Sequence, residues 1–132
     1  MKKLVIVLAV IAMAFAMSSC AKKGAATPTE ATKAYYELLK KGDFKGAVQS
    51  TYDYNKEMSK EEKESVDAML DMTASKIQAA MDEKGGMKDY ALSNEAIEGE
   101  AATVDVKITY GNGEEEEKTE NLMKIGDKWF VK

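Results

Sequence analysis

The sequence predicts an α+β fold, with N-terminal helices packed against an antiparallel sheet. Three observations carry this. Between Pro28 and Lys84, apolar residues recur at helical spacing behind Ser/Thr-type caps. From Ala102 to Tyr110, apolar and polar residues alternate without a break, as in a half-buried strand. Gly111-Asn112-Gly113 then offers a hairpin turn ahead of two more strand-like runs.

The first helix has Thr27 as N-cap, Pro28 at its first position and Glu30 where a capping box needs it. Ala31, Ala34, Tyr35, Leu38 and Leu39 mark its expected inner face. Lys40 and Lys41 suit its C-terminus, and Gly42 stops it. Asp43 caps a short second helix from Phe44 to about Thr51, with Phe44, Ala47 and Val48 inward, and Tyr52 and Tyr54 fall in the connection that follows. Ser59-Lys60-Glu61-Glu62 is a second capping box and opens a long helix ending near Lys84, before Gly85-Gly86. Val66, Met69, Leu70, Thr73, Ile77, Ala80 and Met81 mark its expected core face. Strands are expected over Lys88 to Ile97, Ala102 to Tyr110, Glu114 to Ile125 and Lys128 to Val131.

Charge decides the hairpin register. A two-residue turn at Asn112-Gly113 opposes Lys107 to Lys118 and Asp105 to Glu120, and like charges directly opposed are unfavourable. A three-residue loop pairs Lys107 with Glu117 and Asp105 with Thr119, and is preferred. It also puts Glu116, Lys118 and Glu120 on the face of Ile108, Val106 and Val104. Either the hairpin runs past the helical layer, or that face lines a wet cavity.

The N-terminus carries a different message. Lys2 and Lys3 precede thirteen apolar residues, Leu4 to Ala16, and then the small residues Ser18 and Ser19 and the lone Cys20. Thirteen is short of the ~20 residues a membrane-spanning helix needs and fits a signal peptide. Met17-Ser18-Ser19-Cys20 resembles the lipobox of bacterial lipoproteins, with Met where Leu is usual. The resemblance implies cleavage between Ser19 and Cys20 and lipid on Cys20. The expected organisation is a signal peptide over 1–19, a lipidated flexible tether over 20–27 and one α+β domain over 28–132. The missing Asp after Cys20 resembles the pattern that sends lipoproteins of a Gram-negative cell to the outer membrane, facing the periplasm.

Composition removes whole classes of function. All 19 basic residues are Lys, His is missing and Cys20 is the single cysteine. This excludes His-based triads and metal sites, intramolecular disulfides and arginine clamps on phosphate. Without Lys2 and Lys3, 17 Lys stand against 23 acids, a net charge of −6 that argues against nucleic acid and anionic headgroups as partners.

Two stretches carry a wider resemblance: Ala34 to Val48, an apolar helix followed by Gly42-Asp43, and Leu122 to Val131, a terminal strand with Trp129. They are similar to the nuclear-transport-factor-2-like (NTF2-like), or cystatin-like, superfamily, and in particular to the lipoproteins of domain of unknown function 4878. The resemblance covers Pro28 to Lys132. It implies a curved sheet wrapped around the long helix, forming a cone with a pocket at its open end. Enzymes of this fold place Asp, His and Tyr in that pocket.

An Asp–Tyr pair, for example Asp105 with Tyr90 or Tyr110, could abstract a proton, but Asp105 alternates away from the apolar face. No enzyme activity and no cofactor are expected. Met69 and Met72, with Met81, have the softness for copper(I) but read first as core filler. Glu114 to Glu117 lacks calcium-loop spacing and reads as a solvated hairpin, so no metal is expected. Tyr35 and Trp129 are expected in the core, and Tyr36 partly exposed beside Tyr52 and Tyr54. The candidate pocket or partner surface is therefore Tyr36, Tyr52, Tyr54, Tyr90, Ile108, Tyr110 and Glu116. The expected function is lipid-anchored binding, either of a small ligand or peptide in the cone or, as accessory subunit, of an envelope protein, with a cryptic Asp/Tyr enzyme of the same fold as the second alternative.

Overall fold

Thr27, Asp43 and Ser59 start the helices as their side chains allow. The Thr27 hydroxyl accepts from the Glu30 N–H at the head of α1 (Pro28–Lys41). The Asp43 carboxylate accepts from the Gly46 N–H at the head of α2 (Phe44–Gln49). Ser59 and Glu62 form a complete, reciprocal capping box on the longest helix, α4 (Lys60–Glu83). Gly42 ends α1 at φ 86°, a left-handed conformation that glycine adopts without a Cβ penalty. Tyr52 and Tyr54 are not in an irregular connection. They belong to a one-turn helix, α3 (Tyr52–Asn55). The computed structural model describes residues 24–132. The expected signal peptide and Met17-Ser18-Ser19-Cys20 lie outside the described residues.

The strands are β1 (Met87–Glu98), β2 (Ala101–Tyr110), β3 (Glu115–Ile125) and β4 (Lys128–Val131), in the order β1-β2-β3-β4, all antiparallel. Lys107 faces Glu117 and Asp105 faces Thr119, the register that charge favours. In β1 the register shifts between Ser93 and Ala96, and Asn94 takes φ 53°, one of the few non-glycine residue types that tolerate it. Such a bulge bends its strand and helps curl the sheet. The Glu95 carboxylate next to it accepts from the N–H and hydroxyl of Thr29, fixing β1 to the first turn of α1.

The hairpin tip is pressed onto the loop after α4. The Gly111 N–H donates to Gly86 O and the Asn112 N–H to Lys84 O. A Cβ on Gly111 would stand 2.1 Å from Gly85 O, so this backbone contact requires glycine.

The sheet curls around α1, not around the long helix as the resemblance implied. Val104, Val106, Ile108, Leu122, Trp129 and Val131 form its buried inner face, with Ala31, Tyr36 and Leu39 of α1 against it. Burying each such side chain contributes about 1.5–3 kcal/mol. α4 packs chiefly on α2, and Ile77 and Met81 reach the core. Of its 24 residues only Leu70 is buried. Met69, expected inward, is 56% exposed, as is Met72.

The chain start also differs from expectation. Gly24 and Ala25, placed by sequence in the flexible tether, are buried. The Ala25 N–H donates to Trp129 O and Ala25 O accepts from the Trp129 N–H, extending the sheet past β4.

Candidate functional site

The concave side gathers five of the seven predicted pocket residues: Tyr36, Tyr90, Ile108, Tyr110 and Glu116. Tyr90, Ile108 and Glu116 sit side by side across β1, β2 and β3, and Tyr36 descends onto them from α1. Tyr36 is 1% exposed, not half in solvent. The reason is that α1 is covered on two sides, by the sheet and by α2, so the residue displaced from Tyr35 around the helix is also enclosed. The Tyr35 and Tyr36 rings meet edge to face at 5.3 Å, and Tyr36 lies 5.6 Å from Tyr90.

Tyr36, Tyr90 and Tyr110 each hold a carboxylate. The Tyr36 hydroxyl donates to Glu120. Tyr90 donates to Glu37 at 2.5 Å and Tyr110 to Glu116 at 2.5 Å. Lys118 Nζ stands 3.6 Å from Glu120, and Lys84 Nζ lies 4.6 Å from the Tyr110 ring centroid. Glu120 is thus held by a hydroxyl and an ammonium group of the protein itself, and Glu116 by the Tyr110 hydroxyl. Beyond Glu120 the inner face of β3 runs out of cover, and Glu116 and Lys118 are exposed.

Burial pushes the Tyr35 hydroxyl up to about 12, and the Glu120 charge adds to the effect. Tyr110 is also pushed up to about 12, by burial first and then by its bond to Glu116. Burial and the bonds to Glu120 and Glu37 drive Tyr36 and Tyr90 upward as well. These phenols stay protonated and act as donors. Tyr36, Tyr90 and Tyr110 hold carboxylates in place.

The other predicted residues go elsewhere. Tyr52 is half-buried on α3. The Tyr54 hydroxyl donates to Asp67 at 2.7 Å, and Lys63 Nζ covers its ring at 3.5 Å, so Tyr54 anchors α3 to α4. Tyr36, Tyr52 and Tyr54 therefore do not form one exposed patch. Asp105 is on the outer face, accepting from Asn94 at 2.9 Å and Thr119 at 2.8 Å, and those bonds hold its carboxyl below the usual range. It makes no pair with Tyr90 or Tyr110. Cys20 and Ser19 lie outside the described residues. Glu37 and Glu120 were missed as partners. The register already signalled Glu120, an acid facing inward opposite Val104.

A second concavity lies outside the sheet, where α3 meets α4. It is a groove of about 660 Å³ lined by Met58 and Val66 and by Asp53, Lys56, Glu57, Glu61, Glu62 and Ser65. Among the described residues, no three acidic side chains converge as a metal site would require.

Comparison with known proteins follows the same outline. A family model described as domain of unknown function (DUF4878) matches residues 18–132. No curated protein matches the chain. A crystal structure from Campylobacter jejuni, named "Putative NTF2-like transpeptidase", is similar at 25% identity and a TM-score of 0.62. The match covers 79% of this chain and 95% of that one. A SEC-C motif-containing protein from Rhodopseudomonas palustris, at 18% identity and a TM-score of 0.54 over 80% of this chain and 75% of that one, shares the fold.

Proposed function

The chain belongs to the DUF4878 family and has an NTF2-like fold, and on that premise we propose that it is a lipid-anchored envelope protein that works by holding a partner protein, not by catalysis. The observation that carries this reading is where the chain spends its own side chains. The concave side, where relatives of this fold would open a pocket, is filled by α1 and by the Tyr–Glu pairs. The longest helix, in contrast, buries one side chain of 24. A domain that fills its cone and leaves most of its largest helix exposed is suited to docking. Anchoring through Cys20 rests on the lipobox resemblance, and the outer membrane facing the periplasm, for a Gram-negative host, on the missing Asp after Cys20.

Nothing supports carrying acyl transfer over from the Campylobacter protein's name. That chemistry needs a nucleophile activated by an adjacent base. Among the described residues, the threonine hydroxyl–carboxylate contacts, Thr29 with Glu95 and Thr119 with Asp105, are exposed and tie elements of the fold together.

One observation favours a second reading. Glu116 and Lys118 face inward yet remain exposed beside Tyr110, at the mouth of the cone. A small ligand carrying an amine would pair with the Glu116 carboxylate there. Native mass spectrometry of the protein gently extracted from its envelope separates the two. A second polypeptide supports the partner reading. A reproducible extra mass of a small molecule, lost on denaturation, overturns it in favour of the ligand.

A further inference from the structure

Extending the partner reading, we propose that the α3–α4 corner and the exposed flank of α4 form a docking groove for a basic, amphipathic helical segment of a partner protein. Two independent features meet there. The first is an apolar track. Met58 and Val66 line the groove, and Met69 and Met72 continue from Val66 in i, i+3 steps, within about 120° of one another around the helix. Met69 and Met72 are each 56% exposed, and methionine is the side chain best able to repack against an incoming surface. The track is roughly 20 Å long, the length of a helix of about 13 residues.

The second feature is its charge. Asp53, Glu57, Glu61 and Glu62 line the groove with Met58 and Val66, against the ammonium of Lys56, which is itself 3.6 Å from Asp53. Lys63 covers the Tyr54 ring, and neither it nor Lys60 is among the residues lining the groove. An apolar floor inside an acidic rim selects a helix with an apolar stripe flanked by Lys or Arg. The same rim disfavours the competing occupants. A second copy would bring acid against acid, and an anionic lipid surface would be repelled.

The test is site-specific photocrosslinking of the full chain in its own envelope. A benzophenone amino acid replaces Met69 on the track, Ile97 on the sheet edge or Glu117 on the hairpin. The crosslinked peptide is then sequenced by mass spectrometry. The proposal expects an adduct from position 69 to a basic amphipathic segment, reduced at least about tenfold by Glu57→Lys with Glu61→Lys. If that double reversal alters protease resistance, Glu57→Gln with Glu61→Gln carries the same test. An adduct to the chain's own peptides, to lipid, or to a segment without basic residues overturns the proposal. Adducts from 97 or 117 alone overturn it and leave the partner reading standing. No adduct from any position overturns both.

Discussion

Tyr36 and Tyr110 make the same kind of bond with different consequences. Tyr36 holds the half-buried Glu120, and Tyr110 holds the exposed Glu116. Tyr36→Phe leaves a carboxylate short of a partner away from bulk water, and should destabilise the fold by about 1–3 kcal/mol. Tyr110→Phe leaves Glu116 to water and should cost under ~1 kcal/mol. Urea titrations of both variants check the contrast, and equal losses would contradict it. The phenols also set an alkaline limit. Tyr35 and Tyr110 sit at about 12 in the fold against an ordinary 10.0, so folding favours the neutral phenol. Their contribution is complete below pH 10 and is lost as pH rises towards about 12. Phenolate absorbance and far-ultraviolet circular dichroism should therefore change together in that window. Ionisation well before unfolding would mean the hydroxyls are not enclosed.

The helix ends and the sheet register were legible in the sequence because they follow from local chemistry. Ser59 with Glu62, Thr27 with Glu30, and Lys107 opposite Glu117 are all readable from spacing and charge. Ser59→Ala should accordingly cost about 1 kcal/mol, visible as a lower melting temperature, because it opens the capping box of α4. Gly111→Ala should cost more, since its Cβ would collide with Gly85 O, and a variant as stable as the wild type would contradict the 2.1 Å approach. What the sequence did not reveal was depth. Periodicity indicates which side of a helix is apolar, but not how many neighbours cover it. Tyr36 was expected near the surface and is enclosed because α2 closes the second side of α1. Met69 was expected inside and is exposed because α4 rests on α2 instead of the sheet. The candidate site divided the same way. Strand alternation and register put Tyr90, Ile108, Tyr110, Glu116 and Glu120 on the inner face, while Glu37 and the pairing of Glu120 with Tyr36 needed the tertiary structure.

At the scale of the molecule, stability is distributed unevenly. The slowest amide exchange is expected in β2, whose inward residues are all buried and which is paired on both edges. α4, with Leu70 as its one buried residue, should exchange at least about tenfold faster along its exposed flank. Hydrogen exchange read by mass spectrometry checks this, and uniform protection would mean α4 is held more firmly than its burial indicates. Cys20→Ala should leave the membrane fraction or persist as uncleaved precursor if the proposed anchor is real. Unchanged maturation and fractionation would remove it.

The pairing of Ala25 with Trp129 has a mechanical consequence. With a lipid on Cys20, only the few residues before Gly24 separate the bilayer from the sheet, a reach of roughly 14 Å. The domain would stand close against the lipid surface with β4 nearest to it. Tension on the anchor would arrive first at the two Ala25–Trp129 bonds and would peel the chain start from the sheet edge before loading the core. Those two bonds would then act as the fuse between membrane and fold.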